Sequence, residues 1–284
     1  MQTLISAATA AVIAPLLGAL LVGGDRKVSA RMQGRYGPPV AQPAYDVIKL
    51  LGKEGKAVNP WPSVCAALYL FGALASVVVF AAGGHLLVVF FLTTFTASFL
   101  IAGAQAAPSP YSRLGAGREL LQVMACEPVL ILVFAGFHEA SGSFGVYAVL
   151  SHAAFPIVRM PLACVSLFAV LLVKLRKSPL DLSSSSHAHQ ELVRGTLTEY
   201  SGPALAMVEA GHWCETVLLL LVFALFAGSS PWGAVLLPAI TYLAALLVDN
   251  VAPRLTWRWM LRWLWPAAML AAFSNLLWLH WEGP

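Results

Sequence analysis

Apolar residues along this chain come in long unbroken runs. Eight can be marked, at 4–22, 64–82, 86–107, 114–137, 146–173, 204–228, 232–248 and 263–279. Each is close to the roughly 20 residues that an α-helix needs to cross a hydrocarbon core. In lipid every backbone N–H and C=O must be satisfied within its own segment or within a closed barrel. Runs without period-two alternation favour helices over a barrel. Gly83-Gly84, Pro108-Ser109-Pro110, Ser141-Gly142 and Ser229-Ser230-Pro231 punctuate the pattern. It predicts an all-α integral membrane protein of about eight transmembrane helices, one polytopic domain over residues 1–284. No Lys or Arg precedes the first run, whereas a secretory signal peptide carries a basic n-region, so this run reads as a retained helix.

Two connections are long, 23–63 and 174–203. Basic residues orient the chain. Arg26, Lys27, Arg31, Arg35, Lys49, Lys53 and Lys56 fall in the first long connection; Arg113 and Arg118, then Lys174, Arg176, Lys177 and Arg194, then Arg254, Arg258 and Arg262 fall in the alternate connections or at their membrane edge. The loops between hold none, so the positive-inside rule predicts two long cytoplasmic loops, both termini outside, and residence in the cytoplasmic (inner) membrane.

Composition agrees. Only 11% of residues are charged, against roughly 25% in a soluble domain. The net charge of +4 is dispersed between apolar runs rather than gathered in a patch, so nucleic acid is not an expected partner; the lipid bilayer is. Cys65, Cys126, Cys164 and Cys214 sit singly in different apolar segments with no C-x-x-C pair, and read as small buried hydrophobes. No metal site and no catalytic residue is expected in this chain. His85, His138 and His280 fall near the outer ends of their runs and read as solvent-side residues.

The charges left inside apolar runs are the candidate chemistry. Glu119 and Glu127 share the fourth run, roughly 12 Å apart along a helix and about 80° around it. Glu209, His212 and Glu215 share the sixth; Glu209 and His212 lie on one face, and Glu215 is roughly 9 Å deeper than Glu209. Asp249 closes the seventh. Arg159 falls mid-run between Pro156 and Pro161. Charges at such depth are costly and rarely face lipid. A series of carboxyl and imidazole groups can pass protons; coordination of Na⁺ by the carboxylates and plain interhelical hydrogen bonding remain open. Arg159 reads either as a partner of a buried carboxylate or as a structural residue of an irregular helix.

Two polar stretches are specific. One is Gly34-Arg35-Tyr36-Gly37-Pro38-Pro39 followed by Gln42-Pro43-Ala44-Tyr45-Asp46-Val47-Ile48-Lys49-Leu50-Leu51. The other is Glu191-Leu192-Val193-Arg194-Gly195 followed by Thr198-Glu199-Tyr200-Ser201-Gly202. With Gly115-Ala116, Arg118-Glu119, Gln122 and Glu127-Pro128, they resemble the complex I subunit that joins its peripheral arm to its membrane arm. That family has a Q-P-x-x-D-x-x-K-L amphipathic helix and an E-L-V-x-G…T-E-Y-S-G loop. Two departures stand out. The spacing after Gly37-Pro38 is shorter than in the quinone-reducing form. A Ser- and His-rich stretch, Asp181-Leu182-Ser183-Ser184-Ser185-Ser186-His187-Ala188-His189-Gln190, replaces its acidic run. This wording, with Glu209-Ala210-Gly211-His212-Trp213, is similar to the energy-converting nickel–iron ([NiFe]) hydrogenases of the Ech and CO-linked types.

That resemblance implies a membrane anchor subunit with no redox cofactor of its own. The [NiFe] centre and iron–sulfur clusters would sit in partners: hydrogenase large and small subunits and an iron–sulfur subunit, with ferredoxin as donor to the complex and H₂ as product. An antiporter-like membrane subunit would be a further partner, and export of H⁺ or Na⁺ the coupled event. The ion path would comprise Glu119, Glu127, Glu209, Glu215, His212 and Arg159, with Glu199 and Asp249 at its cytoplasmic mouth. Arg118 would pair with a carboxylate on that side. The two long loops would face the peripheral module through Arg35, Asp46, Lys49, Asp181, His187, His189, Glu191 and Tyr200. Asp46, Lys49 and Lys53 share a helical face, which suits electrostatic docking or anionic headgroups. His187 and His189 alone are too few for a metal site and suit proton relay or contact with the module. The alternative within the superfamily is a quinone-cavity subunit of a complex I-like oxidoreductase. A stand-alone transporter would show paired halves, and no internal repeat is evident. A purely structural anchor is the remaining reading.

Overall fold

The computed structural model of the chain describes residues 2–55, 59–151, 156–180, 183 and 194–282. In chain order its helices are α1 (Gln2–Met32), α2 (Gln42–Leu51), α3 (Trp61–Ala81), α4 (Leu86–Gln105), α5 (Pro110–Ser141), α6 (Val146–Ser151), α7 (Pro156–Arg159), α8 (Pro161–Lys174), α9 (Gly202–Leu225), α10 (Pro231–Val251), α11 (Trp257–Trp259) and α12 (Trp265–Glu282). Among the described residues no strand forms, and six helices, α1, α3, α4, α5, α9 and α10, are long and apolar enough to cross a membrane. The protein is an all-α, multi-pass membrane protein.

The other two apolar runs take different forms. Run 146–173 is expected as one span and is instead interrupted at Met160, between α7 and α8. Pro161 has no N–H to donate and disfavours helical backbone at the residue before it. Met160 accordingly leaves the helix, at φ −127° and ψ 47°. The last run becomes α12, entered through a π-helical turn at Met260–Leu264.

The chain divides into two compact units. Unit 1 is Met1–Val78, Leu92–Leu121 and Asp181–Val217; unit 2 is Val79–Phe91, Gln122–Leu180 and Leu218–Pro284.

In unit 1, α2 starts on Gln42-Pro43, where proline's fixed φ suits a first helical turn. It packs against the end of α1. Ala66, Tyr69, Leu100, Tyr200, Leu205 and Val208 form a buried cluster that joins α3, α4 and the start of α9. On α1, Val12, Leu16 and Leu20 recur at four-residue spacing and are more than half exposed, the mark of a lipid-facing stripe.

In unit 2, α12 packs along α8. Asn275 of α12 is buried and repairs the helix break: its Oδ1 accepts from the Ala163 N–H at 2.9 Å, and its Nδ2 donates to the Arg159 carbonyl at 3.0 Å. Backbone groups freed by a proline in lipid must find such a partner. Phe137 packs on Phe226, and His280 meets Glu139 at 2.9 Å near the ends of α12 and α5.

Candidate functional site

The polar features of unit 1 converge at the start of α9. Residues Gly195–Leu197 make one 3₁₀ turn, and Thr198–Ser201 lead into the helix. Gly115 of α5 lets that turn approach closely, since a Cβ there would stand 2.4 Å from the Thr196 nitrogen. The segment is thereby held against α5, and Tyr200 is turned inward.

Tyr200 is 3% exposed. Its hydroxyl rests on Gly103 of α4, where a Cβ would come within 2.2 Å of it. Among the described residues that hydroxyl has no hydrogen-bond partner. Burial pushes the phenol's pKa up, and neighbouring Cys65 adds to the shift. Tyr200 is therefore a neutral wall, and it separates two clefts. One, of about 440 Å³, is lined by Arg26, Asp46, Lys49, Lys53, Glu54, Arg194, Tyr200, Glu209 and Trp213. The other, of about 330 Å³, is lined by Asn59, Ala107, Glu199, Tyr200, Ser201 and Met207.

The larger cleft carries charge of both signs. Across it Arg26 of α1 donates to Asp46 of α2 at 2.8 Å, and Gln42 donates to the same carboxylate at 3.0 Å. Desolvation acts to raise the Asp46 pKa, but the bonds from Arg26 and Gln42 and the charges of Arg26 and Lys49 outweigh it, and the pKa is lowered. Lys49 is exposed along the same helix, whereas Lys53, expected on that face, lies beyond the helix end at Leu51. Arg35 is exposed and hydrogen-bonds Gln33.

Glu209 forms part of the cleft wall, and His212 and Glu215 follow it along α9. Tyr69 of α3 joins them: its hydroxyl donates to Glu215 at 2.6 Å, and its ring lies edge-on to His212 with centroids 5.3 Å apart. Glu119, 5% exposed in α5, accepts a hydrogen bond from Ser183.

Of the remaining expected path residues, Glu127, Asp249 and Arg159 belong to unit 2 and Glu199 to unit 1. Glu127 is half-buried, and its Oε1 has no hydrogen-bond partner among the described residues. Asp249 and Arg159 are half-buried, the latter ending α7 at the helix break. Glu199 is exposed at the smaller cleft. Asp181, His187, His189 and Glu191 lie outside the described residues. Among the described residues no three His, Cys, Asp or Glu gather as metal ligands would.

Three contributors escape the sequence reading: Tyr69, Ser183 and the role of Arg26. A lone phenol inside run 64–82 is a signal for the first, because polar groups at that depth seek partners. Ser183 is hidden in a run of four serines, and Arg26 looks in sequence like one more topology charge.

The chain matches the family model described as NADH dehydrogenase over residues 5–280. It is similar to hydrogenase-4 component C of Escherichia coli (strain K12), at 30% identity over 95% of this chain and 94% of that protein. It is also similar to a component of the NADH-quinone oxidoreductase of Syntrophotalea carbinolica, at 27% identity over 94% and 93% of the two chains. Among solved structures, a chain of an archaeal respiratory membrane complex, the membrane-bound sulfane sulfur reductase, superposes with a TM-score of 0.84 at 21% identity. That match covers 98% of this chain and 100% of the other, and it concerns the fold alone.

Proposed function

The chain belongs to the NADH dehydrogenase family, and from that premise we propose that it is the membrane subunit of a ferredoxin-dependent, H₂-evolving nickel–iron hydrogenase. As a multi-pass protein of this family it is a subunit of an oxidoreductase complex. In our reading it anchors the peripheral redox module in the cytoplasmic membrane, beside an antiporter-like subunit, and couples electron transfer to ion export.

The observation that carries the reading is the larger cleft of unit 1. Two segments distant in sequence, α2 and the loop before α9, close around it. Arg26, Lys49, Lys53 and Arg194 offer a basic rim, and the first of the α9 carboxylates, Glu209, stands in its wall. A module docked over this cleft would have its charge changes felt at Glu209, because low-dielectric walls leave electrostatic interactions poorly screened. Glu119, Glu127, His212, Glu215 and Arg159 are the further groups proposed for the ion path, with Glu199 and Asp249 at its cytoplasmic mouth. The hydrogenase branch is favoured by the likeness to hydrogenase-4 component C and by the His-rich wording after Asp181.

One observation favours a second reading. The cleft's volume of about 440 Å³ falls within the range of small-molecule sites, which is room enough for a quinone headgroup, and a component of an NADH-quinone oxidoreductase is among the relatives. The test is ferredoxin-driven turnover of the complex purified through this chain, with and without added quinone. H₂ release indifferent to quinone, with a nickel–iron subunit co-purifying, is the expected result. Quinone reduction without H₂ overturns the hydrogenase reading and makes the cleft a quinone site.

A further inference from the structure

The cleft wall ends at Glu209 and Trp213, and Glu215 is not part of it. Tyr69 touches both His212 and Glu215. Tyr69 is fully buried. Its seat against α9 is made by Gly211, where a Cβ would come within 2.4 Å of Tyr69 Cε1 and 2.6 Å of Cδ1. A phenylalanine would fill the same seat, and a buried hydroxyl costs free energy unless it is bonded. Here it is bonded, to Glu215, while the ring edge meets His212. The sequence thus places a glycine on α9 that admits a phenol from α3 between an imidazole and a carboxyl.

We propose that Tyr69 is the relay that links the cleft to Glu215, and that the ion moved along this limb of the path is H⁺. The inference rests on the coupling reading above and deepens it. In the transfer step the phenol hands its proton to the Glu215 carboxylate. Its oxygen takes the proton carried by the His212 imidazolium, directly or across one water. Glu215 gains one proton, His212 loses one, and Tyr69 ends as it began. Glu209 recharges His212 from the cleft, one helical turn away. Imidazole, phenol and carboxyl each give and take a proton, which suits them to this traffic.

The test compares the complex carrying Tyr69→Phe with those carrying Glu209→Gln and Glu215→Gln, reconstituted in proteoliposomes. Proton movement is read from an acridine dye and divided by redox turnover, assayed as whichever of H₂ release or quinone reduction the complex supports. For Tyr69→Phe, protons moved per turnover should fall about tenfold or more, with subunit stoichiometry on a native gel unchanged. If Tyr69→Phe moves protons like wild type while both glutamine variants do not, the relay is wrong and the coupling reading stands. If all three move protons like wild type, the carboxylate path itself is wrong. Collapse of transport by a Na⁺ ionophore, but not by a protonophore, overturns the assignment to H⁺. Should Tyr69→Phe fail to assemble, 3-fluorotyrosine at position 69 keeps the shape and the bond while making the phenol more acidic. A shifted pH profile of coupled turnover supports the relay, and an unshifted one overturns it.

Discussion

In unit 1 two carboxyl groups within apolar helices are held by hydroxyl donors: Glu215 by Tyr69 and Glu119 by Ser183. In unit 2 the best-defined buried polar side chain, Asn275, serves backbone instead, bonding Ala163 and Arg159 across a broken helix. Both arrangements answer the same demand, that no polar group be left bare in lipid. They differ in what they leave behind. An amide between two backbone groups has no proton to pass and fixes a shape. A phenol on a carboxylate has a proton to pass and a route for it. The contrast marks the Tyr69–Glu215 pair as the place for the proposed proton chemistry and Asn275 as a scaffolding residue at the helix break.

The comparison is most exposed to failure at Asn275. Replacing it by Leu strands the Ala163 N–H and the Arg159 C=O, at an expected cost of about 1–3 kcal/mol. The thermal midpoint of the purified complex should drop clearly. Protons moved per turnover should not change in whatever fraction remains intact. A variant that keeps its midpoint but loses coupling would show that the break carries function, and the division of labour would fail. Ser183→Ala is the mirror experiment with a smaller effect on stability, about 1 kcal/mol. Here the pH profile of coupled turnover should shift while the midpoint barely moves. A fall in midpoint with an unchanged profile would make Glu119 a structural group like Asn275.

Much of this is legible in the chain, and the failures have physical causes. Long apolar runs and loop charge give the class of fold, because lipid allows few alternatives. The face shared by Asp46 and Lys49 is readable because α2 is a regular helix, and both residues line the cleft. Glu209, His212 and Glu215 lie on one regular helix, α9. What run length cannot see is a helix broken within an apolar run: 146–173 keeps its hydrophobicity straight through the interruption at Met160. Pro156 and Pro161 flanking Arg159 are the cue. Tyr69 is out of reach for another reason. Its partner lies 146 residues away, and no local pattern ties a phenol in one apolar run to a carboxyl in another. Gly211 is legible in sequence only as part of a motif, and its use becomes visible once the Tyr69 ring is seen against it.

The smallest expected effect separates cleft architecture from proton chemistry. The Arg26–Asp46 pair docks α2 on α1, and the Asp46 pKa is lowered. A carboxyl held below its unfolded value of roughly 3.9 contributes stability that is complete above that value and is lost as pH falls through the folded one. The pair therefore gives no pH dependence between about pH 5 and 8. The two side chains are 44% and 43% exposed, so solvent screening reduces the contribution to well under about 1 kcal/mol. A spin label at exposed position 45 of α2 reads the docking directly. In the wild type its mobility should stay flat from neutral pH downward and rise only below about pH 4, whereas Arg26→Gln should abolish that acid step and leave α2 slightly looser throughout. High salt should act like the substitution. A change in mobility between pH 5 and 8 would mean that a group other than Asp46, with a pKa in that window, holds the cleft closed, and the basic rim would then be part of the switch rather than a fixed docking surface.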